Sequence, residues 1–319
     1  MRGSGFALWA EAFREAVDLS YLLLAFLSTL WGSSFLLIAI AARGFDPLSF
    51  AVVRVAIGAL ALWAVAARGG VKWPRGLWVR LCLMAALGQA IPFLIIGDAA
   101  HRASSGDLAL LMGAQPIFAF VLTRLLGQGG VWSLTAAIGL LCGLAGVVIA
   151  VGAPGAGDMT GRLEGLVCAL GYAFGATISR PASQQIGPAA SAAVSMSLST
   201  AALAAVWLFR DGDFAGLAAA PLGSWVAMTA LGLFNTALAY LVYFALVVRE
   251  GATFAALNNY VVPFAGLALG AAFLGERVET RALVGLALVV VGVALTGRAS
   301  FVAARRGGSS ETRASARPS

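Results

Sequence analysis

The sequence has one lysine (Lys72), one histidine (His101), three cysteines and only 11% charged residues. Each shortage closes a class of function. A single histidine excludes a multi-histidine metal centre. Cys82, Cys142 and Cys168 stand far apart within apolar runs, so neither a disulfide framework nor a metal site is indicated, and no cofactor is expected. Lys72 is followed by Trp73, so the chain has no Gly-x-x-x-x-Gly-Lys-Ser/Thr loop for ATP. A lipid-modifying membrane enzyme would need a nucleophile–base or metal constellation, which one histidine and scattered carboxylates do not supply.

What fills the chain instead is hydrocarbon. Hydrophobic residues make up 61% and the mean hydropathy is +0.92, against about 25% charged residues in soluble domains. The fold class expected is all-α integral membrane protein. The net charge of +7 is almost entirely arginine, placed in loops and at the C-terminus. Such charge reports topology, so the bilayer is a partner and nucleic acid is not.

Ten apolar runs approach the ~20 residues of a spanning helix: 19–42, 47–67, 76–100, 103–124, 132–151, 163–182, 188–209, 222–247, 252–274 and 280–298. The breaks carry Gly, Pro or charge, as in Gly44-Phe45-Asp46-Pro47. Residues 1–18 are not read as a cleavable signal, because Glu11, Arg14, Glu15 and Asp18 interrupt them. Phe6, Trp9, Phe13 and Val17 recur opposite those charges, which predicts a short interfacial helix. Residues 152–162 read as a linker and 299–319 as a disordered tail rich in Arg, Ser, Gly and Ala. With a cytoplasmic N-terminus, fourteen basic residues fall inside and six outside. That bias predicts both termini in the cytoplasm.

The chain also repeats itself. Arg102-Ala103-Ser104-Ser105-Gly106 aligns with Arg249-Glu250-Gly251-Ala252-Thr253 at a shift of 147, which also puts Pro116 on Pro263. Leu126-Gly127-Gln128 matches Leu274-Gly275-Glu276 at 148, and Gly139 and Gly146-Val147 match Gly285 and Gly292-Val293 at 146. The halves are 19–151 and 163–298, five helices each. An odd number of helices per half turns the second upside down, the pattern of inverted-repeat transporters.

One stretch departs from the repeat. Asn258-Asn259-Tyr260 falls opposite the apolar Leu111-Met112-Gly113, with Gln115 nearby. Two amides, a phenol and Pro263 inside an apolar run read either as a cavity wall or as an interhelical hydrogen bond. Glycines four apart (Gly139/Gly143, Gly171/Gly175, Gly266/Gly270) read as packing or dimer surfaces, compatible with a monomer or a weak homodimer.

Two five-helix halves, Trp31-Gly32 in helix 1, Arg54 in helix 2, prolines in helices 4 and 9 and the Leu274-Gly275-Glu276-Arg277 ending resemble the EamA family of the drug/metabolite transporter superfamily. The likeness covers about 19–298. Gln128 stands where that family usually has Glu. The resemblance implies ten helices, a bacterial inner-membrane location and export of small metabolites, including amino acids and aromatic ones among them. It also implies no enzymatic activity.

The candidate solute-binding residues are Trp31, Ser34, Arg54, Gln89, Tyr172, Asn235, Tyr240, Asn258, Asn259 and Tyr260, with Pro92, Pro116 and Pro263 as hinges. They combine aromatic walls with a few polar groups, which suits a small amphipathic solute. Arg54 either attracts a carboxylate or serves structure and gating, and its recurrence in the resembled family across varied solutes favours the latter. No carboxylate sits at mid-membrane, so facilitated export is at least as well supported as proton antiport. Coupling, if present, would use Asp98, His101 or Asp107. The rival readings are a proton-coupled exporter of amphipathic cations, a lipid-modifying enzyme and a non-transporting receptor.

Overall fold

The computed structural model describes residues 4–70, 75–127, 134–151, 158–210, 212–250, 258–292 and 294–295, with the side chains of 4–18, 151, 180, 247, 248, 250 and 260 outside the description. The interfacial side-chain pattern at 1–18, residues 152–157 of the linker, the tail, Gln128 and the Tyr260 side chain therefore lie outside the described residues. All regular structure among the described residues is helical. The helices are α1 (Ser4–Ala41), α2 (Pro47–Ala66), α3 (Trp78–Ala99), α4 (Ser105–Leu125) and α5 (Leu134–Val151) in the first half. The second half has α6 (Met159–Ile186), α7 (Pro188–Phe209), α8 (Leu222–Ala230, Leu231–Leu238 and Ala239–Glu250 end to end), α9 (Asn258–Leu274) and α10 (Thr280–Gly292), with a further short helix, Phe214–Ala219, between α7 and α8.

Six of these, namely 19–41 of α1, α2, α3, α4, α7 and α8, are long and apolar enough to cross a bilayer. Shorter apolar helices lie in α5, α9 and α10. Only a third to a half of each crossing stretch is buried inside the protein. The outward faces carry Leu60, Val79, Leu134, Phe209 and Leu222, each more than two-thirds exposed. Apolar surface on that scale faces lipid. The molecule is thus a multi-pass membrane protein whose regular structure is helical throughout the described residues.

The breaks between helices carry capping chemistry. The Asp46 carboxylate accepts from the N–H groups of Leu48 (2.9 Å) and Ser49 (3.1 Å), with Pro47 at the first position of α2. Ser104 caps α4 through the Asp107 N–H at 3.0 Å, and Asp158 caps α6 through the Thr160 N–H at 2.8 Å. Two boundaries differ from expectation. α1 runs without interruption from Ser4, so the leader helix is continuous with the first span. α6 starts at Met159, within the expected linker, because Asp158 already supplies its cap.

Helix contacts come in matched pairs. α1 packs on α9 as α6 packs on α4, α1 on α8 as α6 on α3, and α2 on α8 as α7 on α3. α2 packs on α7 and α4 on α9, each helix against its own counterpart. α5 and α10 meet through glycines that exchange roles. A Cβ on Gly146 would stand 2.6 Å from the Gly285 carbonyl oxygen, and one on Gly292 would stand 2.6 Å from the Gly139 carbonyl oxygen. Gly139 corresponds to Gly285 and Gly146 to Gly292 in the repeat, so the contact is reciprocal, as across a two-fold axis. These glycines, like Gly171 against Pro92 and Gly175 against Gly88, pack helices within one chain.

Candidate functional site

A central cavity of about 1020 Å³, counting its open mouth, lies between the halves. Of the ten candidate binding residues, Trp31, Ser34, Arg54, Gln89, Tyr172, Asn235, Tyr240 and Asn259 line it. Asn258 is fully buried and not part of the lining. One turn of α9 therefore points the adjacent amides in different directions, and only Asn259 meets the cavity.

The lining follows the repeat. A shift of 141 carries α1 onto α6 and α2 onto α7, and 147 carries α3 onto α8 and α4 onto α9. Trp31 then corresponds to Tyr172, Ser34 to Gly175, Phe93 to Tyr240, Ile96 to Tyr243, Met112 to Asn259 and Gln115 to Val262, and every one of these lines the cavity. The cavity sits astride the relation between the halves, and most matched positions pair a polar side chain in one half with an apolar residue in the other. Sequence reasoning left Phe93, Ile96, Met112, Tyr243 and Phe244 out of the site. The repeat shift applied to Tyr240 and Asn259 points to Phe93 and Met112.

Two wide turns shape the walls. Residues 86–90 of α3 and 231–238 of α8 form π-helix, closed by Ile91 N–H to Ala86 O and Ala239 N–H to Phe234 O. They occupy matching positions in the repeat. Pro92 follows the first, where its ring and missing N–H disfavour a regular turn, but Ala239 takes that place in α8, so proline is not the common cause. Both wide turns present polar side chains inward, a frequent use of π-bulges. Gln89 is held at both ends by α7: its Nε2 donates to Ser195 Oγ and its Oε1 accepts from Ser199 Oγ, each at 2.9 Å. Asn235 donates to the Leu30 carbonyl and to Ser33 Oγ (3.1 Å). Both amides therefore tie helices together as well as lining the cavity.

Arg54 is 5% exposed. Its Nε donates to Thr236 Oγ1 at 3.3 Å, and its guanidinium lies 4.5 Å from the centre of the Phe93 ring. Nη1 has no hydrogen-bond partner among the described residues. Among the described residues no Asp or Glu lines the cavity. Trp31, Tyr240, Tyr243 and Phe244 form an aromatic wall, with Trp31 and Tyr243 centroids 5.4 Å apart.

The candidate hinges differ. α4 is interrupted at Gly113-Ala114, just before Pro116, whereas α9 continues through Pro263. Pro92 is buried against α6, where its carbonyl accepts from the Cys168 thiol at 3.3 Å.

Toward one end of the bundle, Glu276 at the end of α9 accepts from the Ser105 N–H (2.8 Å), the Gly106 N–H and the Ser105 hydroxyl (2.9 Å each). The Leu-Gly-Glu ending thus clasps the start of α4 in the other half. Nearby, Arg102 pairs with Asp98 (3.0 Å) and Asp158 (3.5 Å), and the buried Arg162 pairs with Asp107 (3.3 Å). Asp98 and Asp107, the candidates for coupling, thus both take part in ion pairs at this end, the Arg102–Asp98 pair partly exposed. Asp158 is held below its ordinary pKa, chiefly by the Thr160 N–H and also by Arg102.

The chain matches the EamA-like transporter family twice, over residues 19–152 and 159–298. It is 27% identical over 292 residues to the uncharacterized inner membrane transporter YedA of Escherichia coli strain K12, covering 89% of this chain and 92% of that one. It is 26% identical over 272 residues to the uncharacterized transporter YdfC of Bacillus subtilis strain 168, covering 84% and 87%. One solved crystal structure superposes with a TM-score of 0.63 at 18% identity, covering 88% of this chain and 98% of its own, which shows likeness of fold. These relatives point to transport rather than catalysis. With one match in each half and the two together spanning nearly all the helices, this chain belongs to the EamA-like transporter family.

Proposed function

We propose that this protein exports small metabolites, amino acids and aromatic ones foremost, across the bacterial inner membrane. The solute binds in the central cavity and crosses by alternating access of two inverted five-helix halves. The observation that carries this reading is the cavity lined by corresponding residues from both halves, since rocking one half against the other would expose it to each side in turn. The reciprocal α5–α10 glycine contact supports the inversion. Ten crossings and cytoplasmic termini rest on the ten apolar runs and the excess of arginine on one side. The protein works as a monomer or weak homodimer in the bilayer. Among the described residues no acid lines the cavity, which favours gradient-driven export over proton antiport of amphipathic cations. Reconstitution into proteoliposomes tests this: radiolabelled amino acids should show counterflow that persists when an ionophore collapses the proton gradient. Absence of flux for the whole amino-acid panel would overturn the reading.

A further inference from the structure

We propose that the cavity recognises a carboxylate through Arg54, and that an ammonium group on the solute contributes nothing to binding. The solute class is then a monocarboxylic acid with an apolar or aromatic body, deaminated acids included, and cations are excluded. This rests on the exporter reading above and deepens it.

Arginine remains charged at any physiological pH. A charge out of water is costly unless paired and hydrogen-bonded. Arg54 offers five N–H donors, and among the described residues it makes one bond, from Nε to Thr236, while Nη1 has no partner. Arg54 lines the cavity, and among the described residues no carboxylate shares that lining. The cavity therefore holds a positive charge that, among the described residues, is met by the Phe93 ring and one hydroxyl but by no carboxylate. A carboxylate entering it supplies the missing counter-charge and acceptor geometry that suits a guanidinium. The apolar body of such an acid finds the wall of Trp31, Tyr240, Tyr243 and Phe244.

An ammonium meets the opposite situation. It would share a low-dielectric space with a like charge, where repulsion is strong. Its acceptors would be neutral: the Gln115 and Asn259 side chains and the tyrosine hydroxyls. An amino acid is accepted because its carboxylate is, and an amine of the same shape is rejected.

The corresponding position in the second half shows that the charge is no requirement of packing. Arg54 in α2 corresponds to Ser195 in α7, and Thr236, its partner on α8, corresponds to Gln89 on α3. Ser195 and Gln89 are themselves bonded at 2.9 Å. The same crossing is thus built once with a cation and once with a neutral hydroxyl.

Phenylpropionate, phenylalanine and phenethylamine share one skeleton and differ in these two charges. Solute-induced thermal shift of the detergent-purified full chain should rank phenylpropionate at least equal to phenylalanine, with phenethylamine giving no shift. Arg54→Gln should weaken phenylpropionate roughly 10- to 100-fold, and Arg54→Lys should retain part of the preference. A wild-type shift from phenethylamine equal to that from phenylpropionate overturns the proposal without any mutant. So does an acid preference that survives Arg54→Gln. Proteoliposome flux separates the two readings. Amines that cross while acids do not would leave the exporter reading intact and remove this one. Acids that bind with no solute crossing would remove the exporter reading and leave the anion site. No binding by any of the three overturns the carboxylate proposal, while the amino-acid flux panel decides the exporter reading separately.

Discussion

The crossing of α2 with α8 and the crossing of α7 with α3 are one design used twice. Both involve a helix opened by proline, Pro47 or Pro188, and a partner that widens into a π-turn where they meet. One ends in Arg54 against Thr236, the other in Ser195 against Gln89. The backbone obeys the repeat and the side chains do not. Packing could have used serine and glutamine in both places, so the departure marks where a demand other than folding acts on the chain.

The largest effect should come from that departure. Ser195→Ala should leave phenylpropionate affinity unchanged, since it removes only a tie between α3 and α7, while Arg54→Gln lowers it roughly 10- to 100-fold. Titration by thermal shift measures both, and a similar loss in each variant would erase the distinction between the crossings.

The α5–α10 contact sharpens the comparison from the other side, because there the halves agree. Gly146→Val and Gly292→Val should each destabilise by about 1–3 kcal/mol, through overpacking against the facing backbone. The two should be nearly equal in detergent melting. A large inequality would show that the reciprocal geometry is not mechanically equivalent.

A second departure is Asn259 against Met112. Asn259→Leu should weaken solute binding by roughly 2- to 10-fold, the worth of a neutral hydrogen bond, and Asn258→Leu should not. Equal effects would place Asn258 in the site after all. Glu276→Gln then makes the second half resemble the first at its Leu-Gly-Gln ending. It should cost about 0.5–2 kcal/mol, as for a lost helix cap, read as a lower melting temperature with solute affinity preserved. The smallest effect concerns Asp158. Its pKa is lowered in the folded protein, so its contribution is present above about pH 4 and is lost as pH falls below that. Asp158→Asn should flatten a slight acid dependence of melting, and a steeper dependence in the variant would contradict the assignment.

Much of this was legible in the chain. The proline and acidic breaks mark helix starts because Asp46 and Pro47 act locally, within one turn. The repeat marks matching helices because it needs no partner to be seen. The π-turns were not legible: Ala86-Leu87-Gly88-Gln89-Ala90 is too short for apolar periodicity to separate a wide turn from a regular one. Nor was the bond from Gln89 to Ser195, which joins residues 106 apart. The apolar lining at Phe93, Ile96 and Tyr243 was hidden for another reason. In a helix apolar on all sides, nothing in residue type separates a lipid-facing position from a cavity-facing one.

The two wide turns also constrain which changes the gene can tolerate. A π-turn absorbs one extra residue within about the rotation of a regular turn, so a one-residue deletion ahead of it in α3 or α8 that left the π-turn intact would swing everything beyond the deletion by ~100°. Phe93 and Ile96, or Tyr240 and Tyr243, would rotate out of the cavity as a block while every hydrophobic residue remained. Substitutions along α3 and α8 erode the wall one contact at a time, whereas a single lost codon removes it whole. Gaps in any alignment of these two helices therefore carry more functional weight than mismatches do.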